Sequence, residues 1–255
     1  MKRNKIFIVF VLFLIPPEIF AQAISVKVMS MNIKEGGQLA NYNADVYADC
    51  IKEQNPDFVV FQEIDRFTNR NGNQDMLTAI AAKLGMFPLY GKAMDYSGGA
   101  FGNGILSKYP FFNAKTVVSR PPEAAESRSC LWMDVILPNG RMLRIAGTHL
   151  DVRSEQARIS MLGTINVNLL TDEDYPTLLI GDFNATPDSD TMKYAKIRGQ
   201  DIGEGTGNTL PSTNPTSRID YVMGYPKTWL KKSYEIVCYP GLSDHCFIVA
   251  ELEFP

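Results

Sequence analysis

The pattern of hydrophobic and polar residues along the chain predicts many strands. Residues 24–33 alternate apolar and polar side chains, as a half-buried strand does. Residues 57–64 contain the continuous run Phe58-Val59-Val60-Phe61, which predicts a strand buried on both faces. A hairpin is predicted over residues 131–150, because Asn139-Gly140 is a strong turn signal between two apolar runs. Further strands are predicted over residues 87–94, 104–107, 177–183, 219–223, 233–238 and 246–254.

Three segments carry the pattern of a helix instead. Residues 39–54 end before Pro56, residues 74–84 stop at Gly85, and residues 154–170 place apolar side chains three and four positions apart. The glycine-rich stretch 97–104 is predicted to be a loop. Strands outnumber helices and many look antiparallel. This balance favours two sheets packed face to face with helices outside, a layered α/β sandwich, with a flavodoxin-like parallel sheet as the alternative.

The first 23 residues have a different character. A basic start is followed by ten apolar residues, Ile6 to Ile15, and then by Ala21-Gln22-Ala23. This order is typical of a secretory signal peptide, and we expect cleavage after Ala23. The apolar run is shorter than the roughly 20 residues that span a bilayer. An uncleaved membrane anchor is the alternative. One catalytic domain is predicted over residues 24–255.

Charge and cysteine content narrow the functional classes. Cleavage removes three basic residues and one acidic residue, which leaves 22 basic against 27 acidic side chains. A net negative chain disfavours a protein that coats nucleic acid. The four cysteines, Cys50, Cys130, Cys238 and Cys246, match no zinc-binding spacing. They are interpreted first as small buried apolar residues. A bridge between Cys238 and Cys246 stays open, because export permits disulfides.

Polar residues recur where apolar strands end. Buried carboxylates are costly unless they are paired or bind a metal, so a repeated pattern of this kind indicates a site more strongly than any one residue does. Both histidines of the chain belong to the pattern, and each has an aspartate within two positions. Histidine suits proton transfer or the stabilisation of phosphate charge near neutral pH. The residues at these strand ends are Asn32, Glu63, His149, Asp151, Asp182, Asn184, Asp220, Asp244 and His245.

The ligand types favour magnesium or manganese over zinc. Oxygen ligands suit Mg²⁺ and Mn²⁺, and the chain has no cysteine cluster. Motifs of other enzyme classes are absent, including the G-x-x-x-x-G-K-[ST] phosphate loop, H-E-x-x-H and the G-x-S-x-G nucleophile elbow. Arg128, just before a predicted strand, is a candidate for contacting a substrate phosphate, with a surface ion pair as its alternative.

The same residues carry a family resemblance. In order along the chain, seven segments resemble motifs of the endonuclease/exonuclease/phosphatase superfamily, which includes DNase I, repair nucleases, neutral sphingomyelinases and inositol polyphosphate 5-phosphatases. The resemblance implies the four-layer, DNase I-like α/β sandwich, with two mixed sheets flanked by helices. The segments are Ser30-Met31-Asn32, Phe61-Gln62-Glu63, residues 102–107, Thr148-His149-Leu150-Asp151, Gly181-Asp182-Phe183-Asn184, Ile219-Asp220-Tyr221 and Ser243-Asp244-His245.

The resemblance also implies a role for each matching residue. Glu63 is implied as the main ligand of Mg²⁺ or Mn²⁺, with Asn32 and Asp244 close to the ion. Asp182 would position or deprotonate the attacking water, and Asn184 would hydrogen-bond the water or a phosphate oxygen. His245 would contact the scissile phosphate, with its ring held by Asp220. His149 is implied as a second proton donor or phosphate ligand, Asn103 as a support of the site, and Asp151 as an orienting residue.

Departures from the family pattern bear on the substrate. Lys34 stands where repair nucleases carry a second acidic residue, and no long basic insertion is present to grip a duplex. The sequence therefore predicts an exported, monomeric metal-dependent phosphoesterase with no protein partner implied. Its substrate would be a small molecule, a lipid head group or nucleic acid. A secreted nuclease is the alternative in the same class, and a non-catalytic binding module is the alternative from another class.

Overall fold

A computed structural model describes residues 25–171 and 175–253. The predicted signal peptide lies outside the described residues. Within them, no helix combines the length and the apolar character that crossing a membrane requires.

The described residues form strands and short helices in an alternating order. The strands are β1 (Ser25–Asn32), β2 (Phe58–Arg66), β3 (Phe87–Tyr96), β4 (Gly99–Ser107), β5 (Phe111–Ser119), β6 (Arg128–Ile136), β7 (Met142–His149), β8 (Thr177–Asp182), β9 (Gln200–Asp201), β10 (Asp220–Tyr225), β11 (Leu230–Val237) and β12 (Phe247–Glu253). The helices are α1 (Lys34–Gly37), α2 (Ala44–Gln54), α3 (Met76–Leu84), α4 (Glu155–Leu169) and α5 (Asp190–Arg198), with a 3₁₀ turn at Gln38–Ala40.

The strands make two mixed sheets of six. The first has the order β11-β12-β1-β2-β4-β3, and the second has the order β5-β6-β7-β8-β10-β9. Each sheet contains one parallel pair at its centre, β1 with β2 and β7 with β8. The other neighbours are antiparallel. The carboxyl ends of each parallel pair therefore lie at one edge of their sheet, which is where the predicted site residues stand.

Three hydrophobic clusters define four layers. The central cluster lies between the sheets and joins Val60 of the first sheet to Leu131 and Ile180 of the second. A second cluster packs α2 and α3 on the outer face of the first sheet. The third packs α4 and α5 on the outer face of the second sheet. Successive residues of β2 enter different clusters, Phe58 and Val60 the central one and Val59 and Phe61 the outer one, which is why its sequence is continuously apolar.

The four-layer sandwich confirms the predicted fold class, and the flavodoxin-like alternative is wrong. Other predictions need correction. The predicted helix over residues 39–54 begins only at Ala44, where the Asn43 side chain caps it. The predicted loop over residues 97–104 is mostly strand β4. Sequence reasoning did not identify β5, the two-residue β9 or α5.

The cysteines divide into two groups. Cys50 and Cys130 are free and buried, as predicted. Cys238 and Cys246 form a disulfide, so the interpretation of these two as isolated apolar residues is wrong. The bridge closes a loop between β11 and β12, and that loop carries Ser243, Asp244 and His245.

Candidate active site

The first sheet contributes an amide and a carboxylate to the site. Asn32 is the last residue of β1, and Glu63 lies in an irregularity of β2 between Phe61 and Ile64. Glu63 has a positive φ of 61°, a conformation that costs energy in a residue with a side chain. The Asn32 Nδ2 atom donates to Glu63 Oε1 at 3.2 Å and to Asp182 Oδ2 at 3.0 Å. One amide therefore links the two sheets.

A left-handed turn follows Asn32 and holds the other side of Glu63. Lys34 and Glu35 both have positive φ, and the backbone N–H of Glu35 donates to Glu63 Oε2 at 2.7 Å. Gly36 has a φ of 76°, and a Cβ built on it would lie 2.6 Å from the carboxyl group of Asp65. A glycine is required there by both conformation and space. The turn thus fixes both the Glu63 carboxylate and the place of the Glu35 side chain.

Asp182 is the centre of the site. It ends β8, is 1% exposed, and pairs in register with His149 on β7 and with Asp220 on β10. Its Oδ1 atom accepts from the backbone N–H of Asn184 at 2.8 Å. Burial, and then the neighbouring Asp220 carboxylate, raise the pKa of Asp182 to about 7. A buried carboxyl group with this pKa can exchange a proton near neutral pH.

His149 is held in one tautomer. Arg128 Nη1 lies 2.9 Å from His149 Nδ1, and since a guanidinium has no acceptor atom, Nδ1 must accept and Nε2 must carry the ring proton. That Nε2 atom lies 3.5 Å from Asp182 Oδ2, which can accept its proton. Burial, and then the charges of Arg128 and His245, lower the pKa of His149 well below its usual range. The ring is neutral and presents one N–H group to the site.

His245 is held in a different way. Its Nδ1 atom donates to Asp220 Oδ2 at 3.0 Å, and its Nε2 atom lies 3.8 Å from Asp182 Oδ2. Burial opposes protonation, but the carboxylates of Asp220, Asp182 and Asp244 outweigh it and raise the pKa of His245 above its usual range. The loop is tied to the first sheet by Ser243, whose Oγ donates to Asn32 O at 2.6 Å.

The donors in this region fit a hard cation. Asp244 Oδ1 is buried and has no hydrogen-bond partner among residues 25–171 and 175–253, while Oδ2 faces the Lys34 ammonium at 3.3 Å. Each oxygen of Glu63 accepts one hydrogen bond and keeps a free lone pair. Carboxylate and amide oxygens are the ligands that Mg²⁺ prefers. Asp182, Asp220 and His245 also bring one ligand atom each to within 4.8 Å of one another.

The remaining predicted residues lie further from this centre. Asn103 is buried on β4, and its Nδ2 atom donates to Ser129 O at 2.7 Å and to Ser129 Oγ at 3.1 Å. It connects the sheets beside Arg128, as a supporting residue would. The ion pair considered as the alternative for Arg128 is present, since Arg128 Nη2 pairs with Glu126 at 3.0 Å, but Arg128 is only 6% exposed and does not lie on the surface. Asp151 accepts three backbone N–H bonds and organises its loop.

Sequence reasoning did not identify Arg70. Its guanidinium forms a two-pronged ion pair with the fully buried Asp65, at 2.6 Å for Nε and 2.9 Å for Nη2. The rings of Tyr96 and Phe101 lie 4.4 and 5.7 Å from the guanidinium carbon. The signal available was a cluster of charged residues directly after Glu63, since both Asp65 and Arg70 follow it within seven positions.

Comparison with known proteins identifies the family. The model of the endonuclease/exonuclease/phosphatase family matches residues 35–245. The chain therefore belongs to that family of phosphoester hydrolases. The Escherichia coli K12 protein YbhP, itself uncharacterised, is 35% identical over 101 residues. That match covers 37% of this chain and 38% of YbhP, so it spans well under half of either protein.

Solved structures share the fold over most of the chain. A functionally unknown protein from Enterococcus faecalis V583 has a TM-score of 0.75 at 22% identity. The match covers 89% of this chain and 98% of that protein. A mannosyl-6-phosphatase from Bacteroides thetaiotaomicron VPI-5482 has a TM-score of 0.72 at 18% identity. The match covers 90% of this chain and 100% of that protein. At these identities the similarity establishes the fold and not the substrate.

Proposed function

We propose that this protein is an exported, metal-dependent phosphoesterase that hydrolyses small phosphate esters by in-line attack of water. One observation carries the proposal: the Asp182 carboxylate lies between Asn32, His149 and His245, all within 3.8 Å of its Oδ2 atom. A base, two imidazoles and an amide meeting at one buried point fit phosphoryl transfer, in which positioning and charge stabilisation supply most of the rate.

Each residue has a role that its contacts support. Asp182, with its raised pKa, accepts a proton from the attacking water. Asn184 fixes Asp182 through its backbone N–H. His245, with its ring oriented by Asp220, places positive charge beside the phosphate oxygens. His149 directs its Nε2 proton at the same point, and Arg128 both fixes that tautomer and adds a buried positive charge.

The oxygen donors of the first sheet complete the proposal. Glu63 and Asp244 would hold Mg²⁺ or Mn²⁺, with Asn32 close to the ion and bonded to Glu63 through its Nδ2 atom. Such an ion, when bound, polarises a phosphoryl oxygen and neutralises charge on the phosphate. The buried and unpartnered Oδ1 atom of Asp244 supports this assignment.

Export is part of the proposal. The basic start, the apolar run and the Ala21-Gln22-Ala23 sequence support it, and so does the Cys238–Cys246 disulfide, since disulfides persist in oxidising compartments. N-terminal sequencing of protein made in a secreting host is expected to begin at Ile24. An intact N-terminus on cytoplasmic protein would contradict export without affecting the proposed reaction.

The reaction is tested by an assay of the mature chain with Mg²⁺, with and without EDTA. The panel contains p-nitrophenyl phosphate, bis-p-nitrophenyl phosphate, sphingomyelin, inositol polyphosphates, plasmid DNA and RNA. We expect hydrolysis of a small ester that EDTA abolishes and Mg²⁺ or Mn²⁺ restores. Activity that survives thorough chelation would contradict the metal-dependent mechanism, and no hydrolysis of any ester would favour a binding module.

A further inference from the structure

A cavity opens directly from the candidate active site. Its volume is about 260 Å³, which is at the small end of ligand pockets, roughly 300–1,000 Å³. Two of its lining residues, Glu63 and Arg128, belong to the site already described. The cavity is therefore placed to receive the part of a substrate that is attached to the scissile phosphate. The other lining residues are Glu35, Arg70, Met94, Tyr96, Phe101 and Glu126.

The chemistry of the lining disfavours a charged occupant. Glu35, Glu63 and Glu126 line the cavity, against only two cations, Arg70 and Arg128. The charge of Arg70 is already balanced by the buried Asp65 carboxylate. A second phosphate or a polyanion placed here would meet an excess of negative charge, which costs energy in a partly buried site. The occupant should be neutral.

The polar groups of the lining are suited to hydroxyl groups. Arg70 Nη1 lies 3.4 Å from both Glu35 Oε2 and the Tyr96 hydroxyl, longer than the roughly 2.7–3.2 Å of a good N–H···O bond. Because both bonds are long, Arg70 Nη1 can exchange them for a shorter bond to a ligand. Glu35 and Glu126 offer acceptors, and their side chains are 45% and 35% exposed. A group with several hydroxyls can donate to these carboxylates and accept from Arg70.

The apolar part of the lining is an aromatic pair. Tyr96 and Phe101 have ring centroids 6.0 Å apart, and Arg70 packs over both rings. Tyr96 keeps 40% of its surface exposed. An aromatic surface beside polar groups matches a ligand with an apolar C–H face and polar edges. We propose, resting on the proposed function, that this cavity binds the sugar ring of a monosaccharide phosphate and so sets the substrate class.

The test compares specificity constants across phosphate esters. The panel is D-mannose 6-phosphate, D-glucose 6-phosphate, glycerol 3-phosphate, adenosine 5′-monophosphate and p-nitrophenyl phosphate, each with Mg²⁺ and with EDTA. We expect kcat/KM for at least one hexose phosphate to exceed that for glycerol 3-phosphate and for the nucleotide at least about tenfold, because a hexose offers more hydroxyl groups to the polar lining than glycerol or the ribose of the nucleotide does.

Variants connect that preference to the cavity. Tyr96→Ala is expected to lower the ratio of kcat/KM for the hexose phosphate to kcat/KM for p-nitrophenyl phosphate at least about tenfold. Tyr96→Phe, which keeps the ring and loses the hydroxyl, should lower it less. Phe112→Ala removes an aromatic ring of similar exposure from the edge strand β5, and it should leave the ratio unchanged.

The outcomes separate the two proposals. EDTA-sensitive hydrolysis of p-nitrophenyl phosphate without a hexose preference would overturn the sugar site and leave the phosphoesterase intact. The same holds if Tyr96→Ala leaves the ratio unchanged. A preference for the nucleotide that depends on Tyr96 would replace the sugar with a nucleoside. No EDTA-sensitive hydrolysis of any ester would overturn the phosphoesterase, and the sugar-phosphate assignment with it.

Discussion

The two sheets have one topology and two chemistries. If six is added to every strand number in the order of the first sheet, with the numbering restarting at β1 after β12, the result is the strand order of the second sheet. The parallel and antiparallel neighbours also correspond throughout. In the first sheet the central parallel pair delivers Asn32 and Glu63. In the second sheet the corresponding pair delivers His149 and Asp182. In the proposed mechanism, the same framework supplies a cation-binding half on one side and a proton-transfer half on the other.

The two sheets differ in the residues that the strands beside each parallel pair carry. In the second sheet, Asp220 of β10 stands in register beside Asp182 and gives it a carboxylate neighbour. In the first sheet, β4 meets β2 at an irregularity around Glu63, and glycines face that region. The framework thus places side chains, while the residue at each strand end decides the chemistry. Substitutions in each sheet test whether the two halves act as separately as this division implies.

The largest effect is expected in the second sheet from Asp182→Asn. The substitution keeps the shape but removes the proposed base, and general-base catalysis typically contributes about 10²–10⁴ in rate. We expect kcat with the best ester of the panel to fall by about that factor, while the Mg²⁺ concentration for half-maximal activity changes little. Circular dichroism should show an unchanged fold. Near-normal kcat in this variant would contradict the role of Asp182.

The first sheet should respond in the opposite way. Glu63→Gln removes the charge of the main proposed metal ligand, and we expect the Mg²⁺ concentration for half-maximal activity to rise at least about tenfold, with part of kcat recovered at high Mg²⁺. Isothermal titration with Mg²⁺ alone measures the same loss without turnover. Unchanged Mg²⁺ affinity would move the ion away from Glu63, toward the cluster of Asp182, Asp220 and His245.

The sequence predicts this division only in part. Strand-end positions, and hence most site residues, follow from apolar runs such as residues 58–61 that end in a polar side chain. The cavity beside the site does not follow in this way, because the Asp65 carboxylate that pairs with Arg70 packs against Gly36 of the left-handed turn at residues 34–37. Such backbone geometry depends on tertiary contacts and not on local pattern.

The prediction of a loop from the glycines of residues 97–104 is wrong for a related reason. The glycines of residues 97–104 look like a loop, yet a Cβ on Gly102 would lie 2.1 Å from Gly91 O, and one on Gly99 would lie 2.3 Å from Phe67 O. These residues are glycine because neighbouring backbone approaches closely within a sheet. Composition alone cannot distinguish that need from the need for a turn, so the sequence predicts only residues 104–107 of the nine-residue β4 and misses residues 99–103.

A smaller effect tests the loop between β11 and β12 of the first sheet. The Cys238–Cys246 disulfide closes the segment that carries Asp244 and His245, and closing a loop of this length stabilises a protein by roughly 2 kcal/mol in the chain-entropy model. We expect Cys238→Ser with Cys246→Ser to lower the free energy of unfolding by about that amount. Denaturant unfolding measures it, and Cys50→Ser, which breaks no bridge, is the control for cysteine replacement.

The smallest effect concerns Asp151, which holds its loop without joining the proposed chemistry. Burial opposes its ionisation, but hydrogen bonds from the backbone N–H groups of Ser154, Ala125 and Arg153, with Arg128 nearby, lower the pKa of Asp151 below its usual value. A carboxyl group whose pKa is lowered in the folded state contributes stability above its unfolded pKa, about 3.9, and that contribution is lost as the pH falls through the folded pKa.

In Asp151→Asn, the free energy of unfolding should therefore decrease less steeply as the pH falls below about 4. Its pH dependence between about pH 6 and 8 should be unchanged. Urea unfolding at a series of pH values measures both ranges. Asp49→Asn is a matched control, because Asp49 is an exposed carboxylate on α2 that accepts no backbone N–H bond within the described part of the chain. An equal flattening in both variants would mean that the acid sensitivity is a general charge effect and that Asp151 has no special part in holding the second sheet's loop.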